Sequence, residues 1–209
     1  MGNAMPKQFL LINHKPILWY TLNTFLEAYD DLEIILVLHK DHLDKGKEIV
    51  DSFHGAGRIT ITKGGEARFH SVKNGLEFVK GPSIVFVHDG VRCLVSKALI
   101  HRCYEEANKK GNAIPSVKPV DSLRIEKENG NEIVNRNKIH IIQTPQTFKS
   151  SVIKPAFDQT YNPAFTDEAS VVEKTGVKIN LIEGELTNIK ITQPIDLAVA
   201  ERILESYTL

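Results

Sequence analysis

A carboxylate and a guanidinium stand directly after an apolar run in this chain: residues 83–88 read SIVFVH, and Asp89-Gly90-Val91-Arg92 follows. Ligands of open α/β sheets sit beyond the carboxyl ends of the strands. There Asp89 suits Mg²⁺ or a hydroxyl, because hard cations prefer carboxylate oxygen. Arg92 suits a phosphate, which it can grip with two parallel hydrogen bonds. The plainer alternative is a surface turn closed by an Asp–Arg ion pair.

Gly64-Gly65-Glu66-Ala67-Arg68 precedes a helical pattern. Two glycines let backbone and ligand approach closely, and the helix start offers free N–H groups to an anion. Arg68 and Ser71, three apart, share a helix face; an ordinary glycine turn fits the same residues. Thr166-Asp167-Glu168 reads as a helix cap with acids in the first turn. In residues 188–192 (NIKIT), a strand would point Lys190 away from Ile189 and Ile191. If covered, that ammonium needs an anion, and a phosphate would serve; on an edge strand it is a solvated charge. Nothing local singles out Lys7, Arg136 or Thr144. The eight histidines do not cluster, and no Ser-His-Asp order, Walker sequence or zinc spacing is present.

The surrounding pattern predicts the elements that position these residues. Residues 33–38 and 83–88 are nearly continuous apolar runs, suited to strands buried on both faces. Residues 59–62 and 112–117 read as further strands, and 177–182 and 188–192 as later ones. Helical stripes lie between them, at Ile17, Leu18, Phe25 and Leu26, at Val72, Leu76 and Val79, and at Leu99, Cys103 and Ala107. A helix is expected after Thr166 and another opening at Pro194. The alternation implies an α/β fold with a doubly wound, mostly parallel sheet. About residues 119–143 the rhythm changes: alternating runs flank Asn129-Gly130, predicting an antiparallel β-arm inserted in the domain. An isolated hairpin is marginal in water, so a second subunit is expected to cover it.

Composition narrows the class. The 209 residues, 42% of them hydrophobic, suit one domain with an excursion. The 26 basic residues balance the 26 acidic ones, so no overall field favours nucleic acid or anionic membrane. No run is long and apolar enough to span a bilayer, and the start lacks the apolar core of a signal peptide. Two cysteines without metal spacing read as reduced thiols of a cytoplasmic protein.

Together PKQFL, KPIL, GGEAR before HSV, HDGVR, VNRNKI, QTPQTF, FTDEAS and NIKIT, in this order, resemble the 2-C-methyl-D-erythritol 4-phosphate cytidylyltransferase family from Pro6 to about Leu204. The resemblance implies one Rossmann-like nucleotidyltransferase domain over residues 1–209, with an arm that clasps the partner of a homodimer. It implies transfer of CMP from CTP to methylerythritol phosphate with Mg²⁺, releasing pyrophosphate, in non-mevalonate isoprenoid precursor synthesis. By motif, Lys7 and Lys190 would be catalytic. Gly65, Glu66, Ser71 and Asp89 would bind the nucleotide, Asp89 also the metal. Arg92, Arg136, Thr144, Thr166 and Asp167 would bind the polyol phosphate, with Arg136 coming from the partner's arm.

The sequence departs from the family pattern at its start. A first strand and a glycine-rich loop resembling AAGxGxRMG are expected there, and Met1-Gly2 matches only its close. The resemblance then implies a sheet short of its central strand, and a chain inactive without the loop and its arginine. Gly90-Val91 and Cys93 stand where alanines and proline are common. Ribitol-5-phosphate cytidylyltransferase shares most of the motifs, and a non-catalytic nucleotide-binding module is the reading from another class.

Overall fold

The computed structural model describes residues 6–206; residues 1–5, with the expected close of the glycine-rich motif, and residues 207–209 lie outside the described residues. A single 3₁₀ turn, Lys7–Phe9, leads into a short hairpin, β1 (Leu11–Ile12) and β2 (Lys15–Pro16). Asn13 and His14 between them take φ of 46° and 66°, the left-handed pair that a two-residue hairpin turn requires. Then follow α1 (Ile17–Ala28), β3 (Ile34–Leu38), α2 (Leu43–Asp51), β4 (Ile59–Lys63), α3 (Arg68–Leu76), β5 (Ile84–Val87), α4 (Lys97–Lys110) and β6 (Asn112–Val117). The arm is β7 (Leu123–Lys127) and β8 (Gly130–Val134). The chain closes with β9 (Ile141–Ile142), β10 (Gln146–Lys149), α5 (Ser150–Ala156), α6 (Glu168–Glu173), β11 (Leu181–Glu183) and α7 (Pro194–Ser206).

The fold is α/β, as the alternation predicts. Strands β3 and β4 pair in parallel, Ile34 against Ile59. A second sheet runs β11-β6-β10-β5, with β9 beside β6. The pair β11–β6 is parallel, but β10 is antiparallel to both β5 and β6. This strand escaped the sequence reading for a physical reason: Gln146 and Thr147 are polar yet fully buried at the sheet's centre, where strand residues are usually apolar. Among the described residues, β3 pairs only with β4 and β5 only with β10. A cleft of about 1490 Å³ runs along β3 and β5, walled by Leu18 and Leu22 of α1 and by Val72 and Leu76 of α3.

Three local expectations are corrected. The segment 188–192 is no strand: Ile191 donates to Val91 O at 3.0 Å, and among the described residues no ladder pairs this segment with a strand. The late strand begins at Leu181, because Asn112 captures the preceding backbone through Lys178 O and Asn180 N–H. In the arm, Lys127 pairs with Gly130, so the two-residue turn is Glu128-Asn129. Gly130, at φ 121°, opens β8 in a conformation that side chains avoid.

Packing fixes the frame around the strand ends. Phe69 of α3 stacks on Phe157 at 4.8 Å between centroids and on Phe165 at 5.8 Å. It thereby joins the cluster of Ile114, Phe148, Ile153 and Val172, each completely buried. A second cluster, with Leu99, Ile100 and Cys103 of α4, packs against α1 and β5 through Phe25 and Phe86. Truncating one such buried aromatic to alanine costs about 3–5 kcal/mol.

Candidate active site

Asp89 stands two residues beyond Val87, the last residue of β5, and its carboxylate is the hub of the site. Arg68 Nη1, from the first residue of α3, lies 2.7 Å from Asp89 Oδ1. Lys190 Nζ, from the segment after β11, lies 2.9 Å from Oδ2. Arg92 Nε lies 3.8 Å from the same oxygen, across a turn closed by Arg92 N–H on Asp89 O at 2.9 Å. Arg68 also reaches Glu168 of α6, Nη2 to Oε2 at 2.7 Å. Two carboxylates face three cations, so the cluster carries a net positive charge suited to an anion.

The pKa directions follow from this crowding. Burial opposes ionisation of Asp89, but Arg68 and Lys190 outweigh it and hold the carboxyl below its ordinary value. Burial would lower Arg68 as well; Glu168 and Asp89 outweigh it and hold the guanidinium above its usual range. Burial pushes Glu168 up, and Arg68 offsets part of that. For Arg92 burial prevails and lowers the pKa.

His88 imposes a direction on the hydrogen bonds beneath the hub. Burial pushes its pKa down to about 4, so at neutral pH the ring is uncharged. Its Nε2 lies 3.2 Å from Arg92 O, which can only accept. Nε2 therefore carries the proton and Nδ1 is bare. Thr144 Oγ1, 3.0 Å from Nδ1, must then donate its proton there. A lone pair of the same hydroxyl accepts Asp89 N–H at 3.1 Å. The Thr144 hydroxyl thus orients Asp89 from within the protein.

Arg92 is nearly enclosed. Its Nη1 donates to Asn188 O at 2.7 Å, and Asn188 Nδ2 donates to Thr144 O at 2.8 Å. Among the described residues, Arg92 Nε and Asn188 Oδ1 are buried without a hydrogen-bond partner. A buried polar atom left so costs about 1–3 kcal/mol, which marks this corner as one where a bound group would be welcome.

The glycine loop is built for close approach. A Cβ on Gly65 would stand 2.4 Å from His70 Cβ, and one on Gly64 2.8 Å from Ser71 Oγ. Gly65 N–H donates to Ser71 Oγ at 3.1 Å, and that hydroxyl donates to Ala67 O at 3.1 Å. Glu66 is exposed beside them. Asp167 caps α6, Oδ1 accepting Ser170 N–H at 2.8 Å and Oδ2 accepting Gln146 Nε2 at 2.9 Å. Thr166 N–H reaches Ser170 Oγ at 3.1 Å. Lys7 Nζ donates to Thr192 O at 2.7 Å, two residues beyond Lys190.

The structure therefore gathers Asp89, Arg92, Thr144 and Lys190, with the Gly65–Ser71 loop and the Asp167 cap joined to them through Arg68 and Glu168. Arg136 is not joined to them: it sits on the arm, its guanidinium donating to Val120 O. Sequence reasoning gave no site role to Arg68, Glu168, His88 or Asn188. The sequence marked Glu168 only as an acid in the first turn of a helix, directly after the cap.

A Rossmann-like α/β sheet with a cationic cluster beyond a strand end and a Gly-Gly loop at a helix start defines an anion- and nucleotide-handling protein. The sequence model of the family IspD, 2-C-methyl-D-erythritol 4-phosphate cytidylyltransferase, matches residues 1–206. The chain belongs to this family. The 2-C-methyl-D-erythritol 4-phosphate cytidylyltransferase of Bacteroides thetaiotaomicron is 45% identical over 204 residues, covering 98% of this chain and 93% of the relative. That of Porphyromonas gingivalis is 41% identical over 207 residues, covering 99% and 92%. The crystal structure of 4-diphosphocytidyl-2C-methyl-D-erythritol synthase from Anaerococcus prevotii superposes with a TM-score of 0.85 at 28% identity, covering 98% of this chain and 92% of that one.

Proposed function

We propose that this protein transfers CMP from CTP to 2-C-methyl-D-erythritol 4-phosphate, in isoprenoid precursor synthesis. The observation that carries the reading is the Asp89 hub, held by Arg68 and Lys190 beside the partly unpaired Arg92, in a chain of this family. A phosphate oxygen of the polyol attacks the α-phosphorus of CTP. A new P–O bond forms, the bond from that phosphorus to the bridging oxygen breaks, and pyrophosphate leaves with the electron pair. Catalysis of this kind rests on positioning and on neutralising charge at phosphorus.

Lys190 and Lys7 are assigned to the charge on the α-phosphate, since Thr192 O tethers Lys7 close in the chain to Lys190. Gly65, Glu66 and Ser71 line the nucleotide side. Arg92, Thr166 and Asp167 flank the polyol phosphate, with Thr144 acting through Asp89. Among the described residues no group of three His, Cys, Asp or Glu gathers as a metal cage. The one carboxylate that would hold Mg²⁺, together with triphosphate oxygens, is Asp89; both its oxygens are ion-paired here, so the metal would take the place of the Lys190 contact on Oδ2. When bound, Mg²⁺ would neutralise charge on the triphosphate.

The arm supports a homodimer. Val120 and Ile133 are 77% and 76% exposed, and Ile125 and Ile141 are also open, an apolar surface suited to a second copy. Arg136 of the partner subunit would then complete the polyol phosphate site. We further read the protein as cytoplasmic, since Cys93 and Cys103 are both free thiols; among the described residues no helix is long and apolar enough to cross a membrane. The test is pyrophosphate release by the full-length protein from CTP and Mg²⁺. Release is expected only with methylerythritol phosphate; release with ribitol 5-phosphate instead overturns the substrate assignment.

A further inference from the structure

Glu168 is a carboxylate that the reaction above does not use, yet its side chain is only 2% exposed. Burying a carboxylate is costly unless it is paired and hydrogen-bonded. Among the described residues its ion-pair partner is Arg68, at 2.7 Å. The other prong of that guanidinium holds Asp89 Oδ1, also at 2.7 Å. A guanidinium is a planar, rigid fork, so anchoring one edge sets the direction of the other. The anchor itself is fixed. Glu168 stands in the first turn of α6, directly after the capping residue Asp167. Gln146 of β10 accepts Ala169 N–H at 2.7 Å and donates to Asp167 at 2.9 Å.

We propose that Arg68 and Glu168 are a positioning pair that aims the Asp89 carboxylate at the nucleotide, Glu168 locking the fork and Arg68 transmitting that lock. The chain of contact runs from the sheet through α6 to α3 and back to the end of β5. It explains why a buried acid sits one residue beyond a cap. A lysine at position 68 would keep the charge but could not hold both carboxylates in one plane.

The inference rests on the proposed reaction for its kinetic readout, so the test carries a second readout independent of turnover. Three full-length variants are compared with the unmutated protein: Arg68→Lys, Arg68→Gln and the double variant Arg68→Gln/Glu168→Gln. Thermal midpoints, kcat/KM for CTP, KM for the polyol phosphate and calorimetric CTP affinity are measured. Arg68→Lys is expected to lose about 10- to 100-fold in kcat/KM for CTP, the range seen when supporting partners of a functional group are removed. Its KM for the polyol phosphate should stay within about twofold. Arg68→Gln should also lower the thermal midpoint, because Glu168 is left buried and unpaired. The double variant removes that charge, so the midpoint should recover while CTP affinity stays weak.

A double variant that regained both stability and CTP affinity would show that the pair only fastens α3 to α6, and the proposal would fall. Unchanged kcat/KM and CTP affinity in Arg68→Lys would overturn it equally, whatever the fate of the glutamine variants. An unmutated protein that binds CTP but does not turn over would count against the proposed reaction alone; the CTP affinities of the variants would still decide the pair.

Discussion

Lys190 Nζ stands 2.9 Å from Asp89 Oδ2, joining the segment after β11 to the end of β5. The lysine side chain is 47% exposed, so water screens the pair and its contribution to folding is small, about 0–1 kcal/mol. Its value lies in a cation whose place is set before a phosphate arrives. Lys190→Ala is expected to leave the thermal midpoint nearly unchanged and to lower kcat by about 100-fold or more, as removal of a transition-state charge partner does. Steady-state kinetics beside a melting curve checks this. An unchanged kcat would remove Lys190 from the catalytic account.

Thr144 holds Asp89 N–H and the bare nitrogen of His88 with one hydroxyl. Thr144→Val removes that hydroxyl at nearly constant volume and leaves two part-buried groups unpaired, at up to about 1–3 kcal/mol each. Both stability and turnover should fall. Thr144→Ser keeps the hydroxyl and should restore most of both. Denaturant unfolding and turnover of the two variants decide whether the hydroxyl or the packing matters.

Cys93 and Cys103 are buried, and burial pushes each thiol up to about 12. A free thiol has a pKa near 8.5, so the folded state favours the protonated form. The stability this gives is present below the unfolded pKa and is lost as pH rises from about 9 towards 12. The native protein should therefore resist iodoacetamide at pH 8 and be alkylated at both cysteines once unfolded. Mass spectrometry of the two reactions reads this directly, and rapid labelling of the native protein would contradict it.

The arm yields a mixing experiment. If Arg136 acts in the partner's site, Arg136→Ala and Lys190→Ala proteins are each inactive as homodimers. Exchanged subunits give a heterodimer in which one site receives both defects and the other neither. Partial activity should then return on mixing. Ile133→Asp on the exposed face of the arm should block this recovery and yield monomers by sedimentation. Failure of any mixture to regain activity would place Arg136 in its own chain's site or outside both.

Much of this is written locally in the chain. The run before Asp89 and the Gly-Gly before α3 are legible because a buried strand and a helix start impose composition on a few neighbouring residues. Strand β10 is not, because Gln146 and Thr147 are buried for their hydrogen bonds rather than for hydrophobicity. Lys190 was legible as a charge between apolar neighbours, but the strand expected around it does not form. The Arg68–Glu168 bridge lay beyond reach for another reason: its partners are 100 residues apart, and each has an ordinary local explanation as a helix-start charge. The donor direction through His88 needs coordinates, since it depends on a carbonyl that can only accept.

The most direct test of the central claim follows the α-phosphorus itself. Full-length protein is given CTP labelled at that atom, methylerythritol phosphate and Mg²⁺, and the products are separated. The account predicts that the label appears in a diphosphate joining cytidine to the polyol and that the released pyrophosphate is unlabelled. Label recovered only in CMP, or unlabelled inorganic phosphate in place of pyrophosphate, would contradict it.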